Sequence, residues 1–227
     1  MAEQLSFDLP ARPALGRDDF FISPSNALAV ALIDTPQSWM NGKLILVGPE
    51  GSGKTHLAHV WAAQSGAQII KARDLNEEMV PNLLKTPVVV EDGDEIAGQR
   101  IIETALFHLH NLAQAEGQPL LITARNAPQR WPLTLPDLAS RLQALQIAQL
   151  DAPDDTLLTS LLMKLFIDRQ LNPALDVIPF LARRIDRSFA AAQHIVATID
   201  KAALEAKRPI TRAFVSAVLD KTIAADT

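Results

Sequence analysis

Eight consecutive residues carry the clearest chemistry in this sequence: Gly48-Pro49-Glu50-Gly51-Ser52-Gly53-Lys54-Thr55. They fit G-x-x-x-x-G-K-[ST], the spacing of a phosphate-binding P-loop. Its glycines let the backbone curl until successive N–H groups face phosphate oxygens. The helix that follows adds its positive end. Lys54 would reach the β and γ phosphates, and the Thr55 hydroxyl would bind magnesium. His56, next in line, completes the candidate nucleotide-binding set. Such a loop needs an acidic group at the end of a neighbouring strand to hold the metal. Val88-Val89-Val90-Glu91-Asp92 supplies Glu91 and Asp92, with Glu91 sharing the magnesium with Thr55. The order Glu-Asp is unusual at this position, where Asp is commoner first. A third candidate is Arg141, in Leu135-Pro136-Asp137-Leu138-Ala139-Ser140-Arg141-Leu142. A guanidinium at the end of a short helix beyond the sheet could reach a neighbour's γ-phosphate as an arginine finger.

The elements that must position these groups follow from pattern. Residues 43–47 (KLILV), 68–71 (QIIK), 87–91 (PVVVE), 119–124 (PLLITA) and 145–150 read as strands, 87–91 as a central one. Helices are predicted over 25–33 with Ser23 or Ser25 as cap, from about Gly53 through HLAHVWAAQ, and over 74–85 and 101–116. Strands alternating with helices predict an α/β fold: a parallel sheet with helices on both faces. After Leu150 the pattern changes. Asp151–Asp155 is punctuation and a cap, and Leu157, Leu158, Leu161, Leu162, Leu165 and Phe166 repeat at helical spacing. Further helices are predicted over 174–185, 188–204 and 211–223. The expected organisation is an extended tail (1–17), a nucleotide-binding α/β domain (18–150) and a small all-helical domain (151–227).

The 227 residues carry a net charge of −5 and no cysteine. Disulfides, thiolate zinc sites and cysteine nucleophiles are excluded, which fits a cytoplasmic protein. The 11 basic and 16 acidic side chains of residues 1–150, and the 10 of each in 151–227, make no strong footprint for nucleic acid. No run is long enough to span a membrane, and the N-terminal residues do not read as a secretory signal.

The P-loop, the acidic strand end, LLITA, LPDLASRL and a following helical segment together resemble the AAA+ ATPases. Within them the chain is similar to the module of the replication initiator DnaA, and most of all to the DnaA-related Hda family. The resemblance spans residues 18–223. It implies an AAA+ sheet domain followed by a helical lid, with ADP or ATP and magnesium as cofactors. It marks DDFFISPSNALA as the stretch beside the nucleotide base, LPDLASRL as the arginine-finger segment, and LARRIDRSFAAAQHIVATID as the segment of the second sensor. Gln4-Leu5-Ser6-Phe7-Asp8-Leu9 resembles the peptide that binds the replicative sliding clamp. The implied partners are the clamp and DnaA, with a homo-oligomer as a further option, no membrane, and weak or no direct DNA binding. No DNA-binding helix-turn-helix domain is expected after the helical segment. The implied role is negative regulation of replication initiation: with the DNA-loaded clamp, the chain stimulates hydrolysis of DnaA-bound ATP through Arg141 in trans.

Two departures stand out. Ala190 falls where the second-sensor arginine belongs, with Arg187 three positions earlier. The first-sensor position near Thr123–Asn126 has no clear match. Both point to a nucleotide-bound switch more than a vigorous ATPase. A stand-alone P-loop ATPase or kinase, and a DnaA-like or helicase-loading protein, remain the alternatives. His56, His59, His108 and His110 do not read as zinc ligands, and the tryptophans (Trp39, Trp61, Trp131) read as packing residues. Arg183, Arg184 and Arg187 read as a solvated or protein-contacting face of a lid helix.

Overall fold

The computed structural model describes residues 22–225. Five strands form one sheet: β1 (Lys43–Val47), β2 (Gln68–Lys71), β3 (Val88–Glu91), β4 (Leu120–Ala124) and β5 (Gln146–Gln149). All pairings are parallel, in the order β2-β3-β4-β1-β5. The predicted strands therefore hold to within about a residue. β3 is an interior strand, but β4 is the middle one.

Parallel strands covered on both faces must be apolar on both. β1, β3 and β4 meet that demand: every residue of each is buried. Ile45, Val88, Val90, Leu120 and Ile122 join one apolar cluster with α4 (Arg100–Ala115) and α5 (Pro136–Gln143). Leu44, Leu46, Val89 and Leu121 join a second cluster with α1 (Ala27–Asp34) and α2 (Lys54–Ser65). At ~1.5–3 kcal/mol for each fully buried aliphatic side chain, these two layers are the main driving force for the fold.

Local chemistry moved three predicted helices. α1 begins at Ala27, not Ser25. The Ser23 and Ser25 hydroxyls bond each other at 2.7 Å instead of capping, and the Ser23 amide donates to Asn26 Oδ1 at 2.9 Å. The helix expected over 74–85 is broken into 3-10 turns and the single turn α3 (Val80–Leu83). There Asn76 Oδ1 accepts from the Met79 amide, and Pro81 has no N–H to continue a ladder. The helix expected over 174–185 shrinks to α7 (Val177–Ala182).

The remaining helices are α6 (Asp155–Asp168), α8 (Phe189–Ala206) and α9 (Arg212–Ala225). With α7 they share a third apolar cluster built on Leu158, Leu162, Phe166, Leu181, Val196, Ile199 and Val215. Asp154 Oδ1 accepts from the Leu157 amide at 2.7 Å, which starts α6 where the acidic punctuation predicted a cap. Ser188 Oγ does the same for α8, accepting from the Ala191 amide at 3.0 Å. Among the described residues no helix is long and apolar enough to cross a membrane.

Candidate nucleotide-binding site

Because the sheet is all parallel, the C-terminal ends of its strands open on one edge. The loop after β1, the acidic end of β3 and the end of β4 therefore lie side by side, where open α/β sheets bind ligands. Residues 48–53 curl between β1 and α2. Gly48 has no room for a Cβ, which would stand 2.5 Å from the Leu150 carbonyl oxygen. Gly51 and Gly53 hold φ of +72° and +95°, left-handed backbone that side chains disfavour. Lys54, at the first turn of α2, is 8% exposed, and its Nζ donates to the carbonyls of Gly48 (2.7 Å) and Pro49 (2.8 Å). Burial lowers its pKa below the usual lysine value; Asp92 and Asp94 oppose that shift, and Arg125 adds to it. Thr55 is exposed and His56 half-buried on the same turn. Ser52 Oγ is buried with no hydrogen-bond partner among the described residues.

Glu91 and Asp92 diverge. Glu91 is 7% exposed and turns toward α2, where His59 Nε2 stands 3.4 Å from its Oε1. Asp92 adopts left-handed backbone (φ 56°), and its amide donates to the buried Thr123 Oγ1 at 3.1 Å. Asp94, which the motif reading did not single out, follows in the next turn. Its Oδ2 accepts from the Arg125 amide at 3.1 Å, and its Oδ1 is buried without a hydrogen-bond partner among the described residues. Arg125, at the end of β4, places its guanidinium 3.7 Å from Glu50 of the loop and 3.9 Å from Glu95. The signal for it was present as TARN, but only the parallel register shows that residue 125 leaves the sheet beside residue 48. The Gly48 amide donates to the Ala124 carbonyl at 3.2 Å.

A second missed contribution comes from α8. The Phe189 amide donates to the Gly51 carbonyl at 2.8 Å. A Cβ on Gly51 would lie 2.4 Å from Ser188 Cβ, and one on Gly53 would lie 3.3 Å from the Phe189 ring. The helical segment thus rests directly on the loop. Ala190 is exposed, and Arg187 pairs with Asp155 at 2.7 Å. Both partners of that pair are more than half exposed, so it is worth under ~1 kcal/mol. Arg183 and Arg184 lie in the link between α7 and α8, not on a helix as the sequence reading had them.

Arg141 stands apart from all of these. It lies in the last turn of α5, exposed, with its guanidinium 5.2 Å from the centre of the Phe107 ring. Its charge bears on Lys43 and His110. Burial and then Arg141 lower Lys43 to about 8; burial, Lys43 and Arg141 lower His110 to about 4, against an interaction with the Asn111 side chain that raises it. Lys43 opens β1 and the P-loop closes it, so Arg141 and the chain's own loop sit at opposite ends of a strand about 13 Å long. The start of α5 is fixed by Glu103 of α4, which is fully buried. It accepts hydrogen bonds from the Gly98 amide (2.8 Å), the Thr134 amide (2.9 Å) and hydroxyl (2.8 Å), and the Leu135 amide (2.8 Å). Burial raises its pKa, but those bonds outweigh it and hold the carboxyl below its usual value. Gln4, Leu5, Ser6, Phe7, Asp8 and Leu9 lie outside the described residues.

The arrangement matches solved structures across nearly the whole chain. Domain III of the Thermotoga maritima replication initiation protein DnaA superposes with a TM-score of 0.77 at 19% identity, over 94% of this chain and 98% of that one. AMPPCP-bound DnaA from Aquifex aeolicus gives 0.71 at 18% identity, over 86% and 67%. The Thermotoga maritima RuvB Holliday junction branch migration motor gives 0.66 at 19% identity, over 85% and 66%. The fold is that of a P-loop AAA+ module. At these identities the likeness establishes the fold alone. No protein-family model matches the sequence.

Proposed function

We propose that this chain is a nucleotide-binding AAA+ regulator of replication initiation of the Hda type. In this reading residues 18–150 are the nucleotide-binding domain, 151–227 the lid, and 1–17 a tail that tethers the protein to the sliding clamp through Gln4–Leu9. The observation that carries it is the placement of Arg141. An exposed guanidinium held against Phe107, at the end of β1 remote from the chain's own P-loop, suits a phosphate on a neighbouring molecule. Docked on ATP-bound DnaA in the cytoplasm, Arg141 would stabilise charge developing on the γ-phosphate. In comparable trans systems such an arginine is worth ~10³–10⁵ in rate.

The site suits a resident ADP or ATP. The backbone amides of Glu50, Ser52, Lys54 and Thr55 would face the phosphates, while Gly48, Gly51 and Gly53 let the loop pack against Leu150, Ser188 and Phe189, with Pro49 shaping the turn and His56 following on α2. Lys54 Nζ, bonded to two neutral carbonyl oxygens, would exchange them for charged phosphate oxygens, a stronger bond. Thr55 and Glu91 would hold magnesium, with Asp94 as a further carboxylate whose buried oxygen could accept from its water. Among the described residues no group of three His, Asp or Glu holds a metal alone, so the other ligands would be phosphate and water. In that role the ion would neutralise phosphate charge. Asp92 would hold the end of β3 to Thr123, and Ser188 and Phe189 would hold the lid on the loop.

The test follows loss of labelled ATP pre-bound to DnaA, with DNA-loaded clamp present. Three samples are compared: no addition, this protein, and Arg141→Ala. Clamp-dependent acceleration that is lost in the variant supports the reading. No acceleration by the nucleotide-loaded protein overturns it. Brisk turnover by the isolated chain, lost in Lys54→Ala, would establish the stand-alone ATPase instead.

A further inference from the structure

On the helical segment, where α7, the link after it and the start of α9 meet, lies a hollow of about 370 Å³. It is lined by Asp176, Pro179, Phe180, Arg183, Arg184 and Arg212. It shares no residue with the P-loop. Two of its arginines are stacked on one ring: the guanidiniums of Arg184 and Arg212 stand 4.9 and 5.0 Å from the centre of Phe180. Arg183 completes a set of three. Among the described residues none of the three has a carboxylate within 4.0 Å, including Asp176 on the same wall.

Three cations gathered in one concavity, with Asp176 on its wall but in ion-pair contact with none of them, repel one another, and exposed arginines ordinarily spread apart or find a carboxylate. Here an aromatic ring and the fold hold two of them in place. The cost of ordering their long side chains is therefore partly met before any ligand arrives. Arg212 is also the first residue of α9, a helix of 14 residues, so the positive end of that helix opens at the same hollow.

We propose that this hollow is a second anion site, built for the di- or triphosphate group of a small ligand. A lone carboxylate brings one charge and satisfies one guanidinium fork. An oligophosphate brings several, spaced so that adjacent forks each find two oxygens. The volume falls at the lower end of small-ligand pockets, about 300–1,000 Å³. A nucleic-acid backbone needs a basic track, and this surface is broken by Asp176; residues 151–227 balance at zero, with 10 basic and 10 acidic side chains.

The experiment uses the full chain carrying Lys54→Ala, so that the P-loop does not supply the signal. Inorganic tripolyphosphate is titrated in by calorimetry. The expected result is one saturable site whose affinity falls at least about tenfold in Arg183→Gln/Arg212→Gln, with recovery in part for the lysine pair, which restores charge but not the fork. All three arginines are exposed, so the variants should keep the parent melting temperature, and that is checked first. Absence of saturable binding, or binding indifferent to the arginines, overturns the proposal. So does tighter, arginine-dependent binding of a short single-stranded oligonucleotide or of hexaglutamate, which would assign the hollow to DNA or to an acidic protein segment. Failure here leaves the P-loop reading intact, because that site is already disabled in the protein tested.

Discussion

Glu103 offers the sharpest test of how the Arg141 helix is held. Its two oxygens receive four donors, three of them from Thr134 and Leu135 at the start of α5. In Glu103→Gln one oxygen becomes an amino group. With the better-used oxygen kept, the Gly98 amide loses its acceptor and faces another donor, which costs ~1–3 kcal/mol. The three retained bonds lose their charge assistance, each weakening by roughly 0.5–1 kcal/mol. The expected loss is about 4 kcal/mol, a large share of a total stability of ~5–15 kcal/mol. At ~2–4 °C per kcal/mol for a chain of this size, the melting temperature falls by about 8–16 °C. Urea unfolding across pH gives the second reading. The folded carboxyl titrates below its unfolded value, so its contribution is complete above the unfolded pKa and is lost as pH falls through the folded one. Glu103→Gln should therefore flatten the acid limb of the stability profile. A loss under about 1 kcal/mol with an unchanged acid limb would refute the view that this carboxylate clamps α5.

Three further outcomes are expected. Gly51→Ala places a Cβ 2.4 Å from Ser188 Cβ on left-handed backbone; it should cost ~1–3 kcal/mol and weaken nucleotide binding, read by thermal melting and by fluorescent-ADP titration. Lys43 is buried with its pKa lowered to about 8, so the folded form releases its proton first and stability should rise with pH between about 8 and the unfolded value of 10.5. Lys43→Met should abolish that rise and stabilise the protein at neutral pH, as measured by urea midpoints across the range. Asp154→Ala removes the cap on the Leu157 amide and should lower stability by ~1 kcal/mol without changing tripolyphosphate binding at the arginine hollow.

The glycine-rich loop, the five strands and the change to helices after Leu150 were legible because each rests on local chemistry. Glycine spacing, β-branched runs and acidic caps act within a few residues, and strands buried on both faces must be apolar throughout. The same locality explains the errors. Periodicity over 74–85 gave no weight to Asn76 and Pro81, which set the backbone one residue at a time.

What the sequence alone could not decide is which distant residues meet. Arg125 reaches Glu50 only because β4 lies beside β1, and Glu91 meets His59 because the pleat turns it toward α2 while its neighbour Asp92 turns away. Ser188 and Phe189 close on Gly51 across more than a hundred residues of chain, a contact that exists only once the helices pack. Arg183 and Arg184 read as a solvated or protein-contacting face until the packing of α7 and α9 sets Arg184 and Arg212 on one ring. The sequence determined the chemistry available, since that is a matter of residue type and short spacing. Tertiary packing decided which groups share a site, since that depends on strand order and on the faces each helix buries.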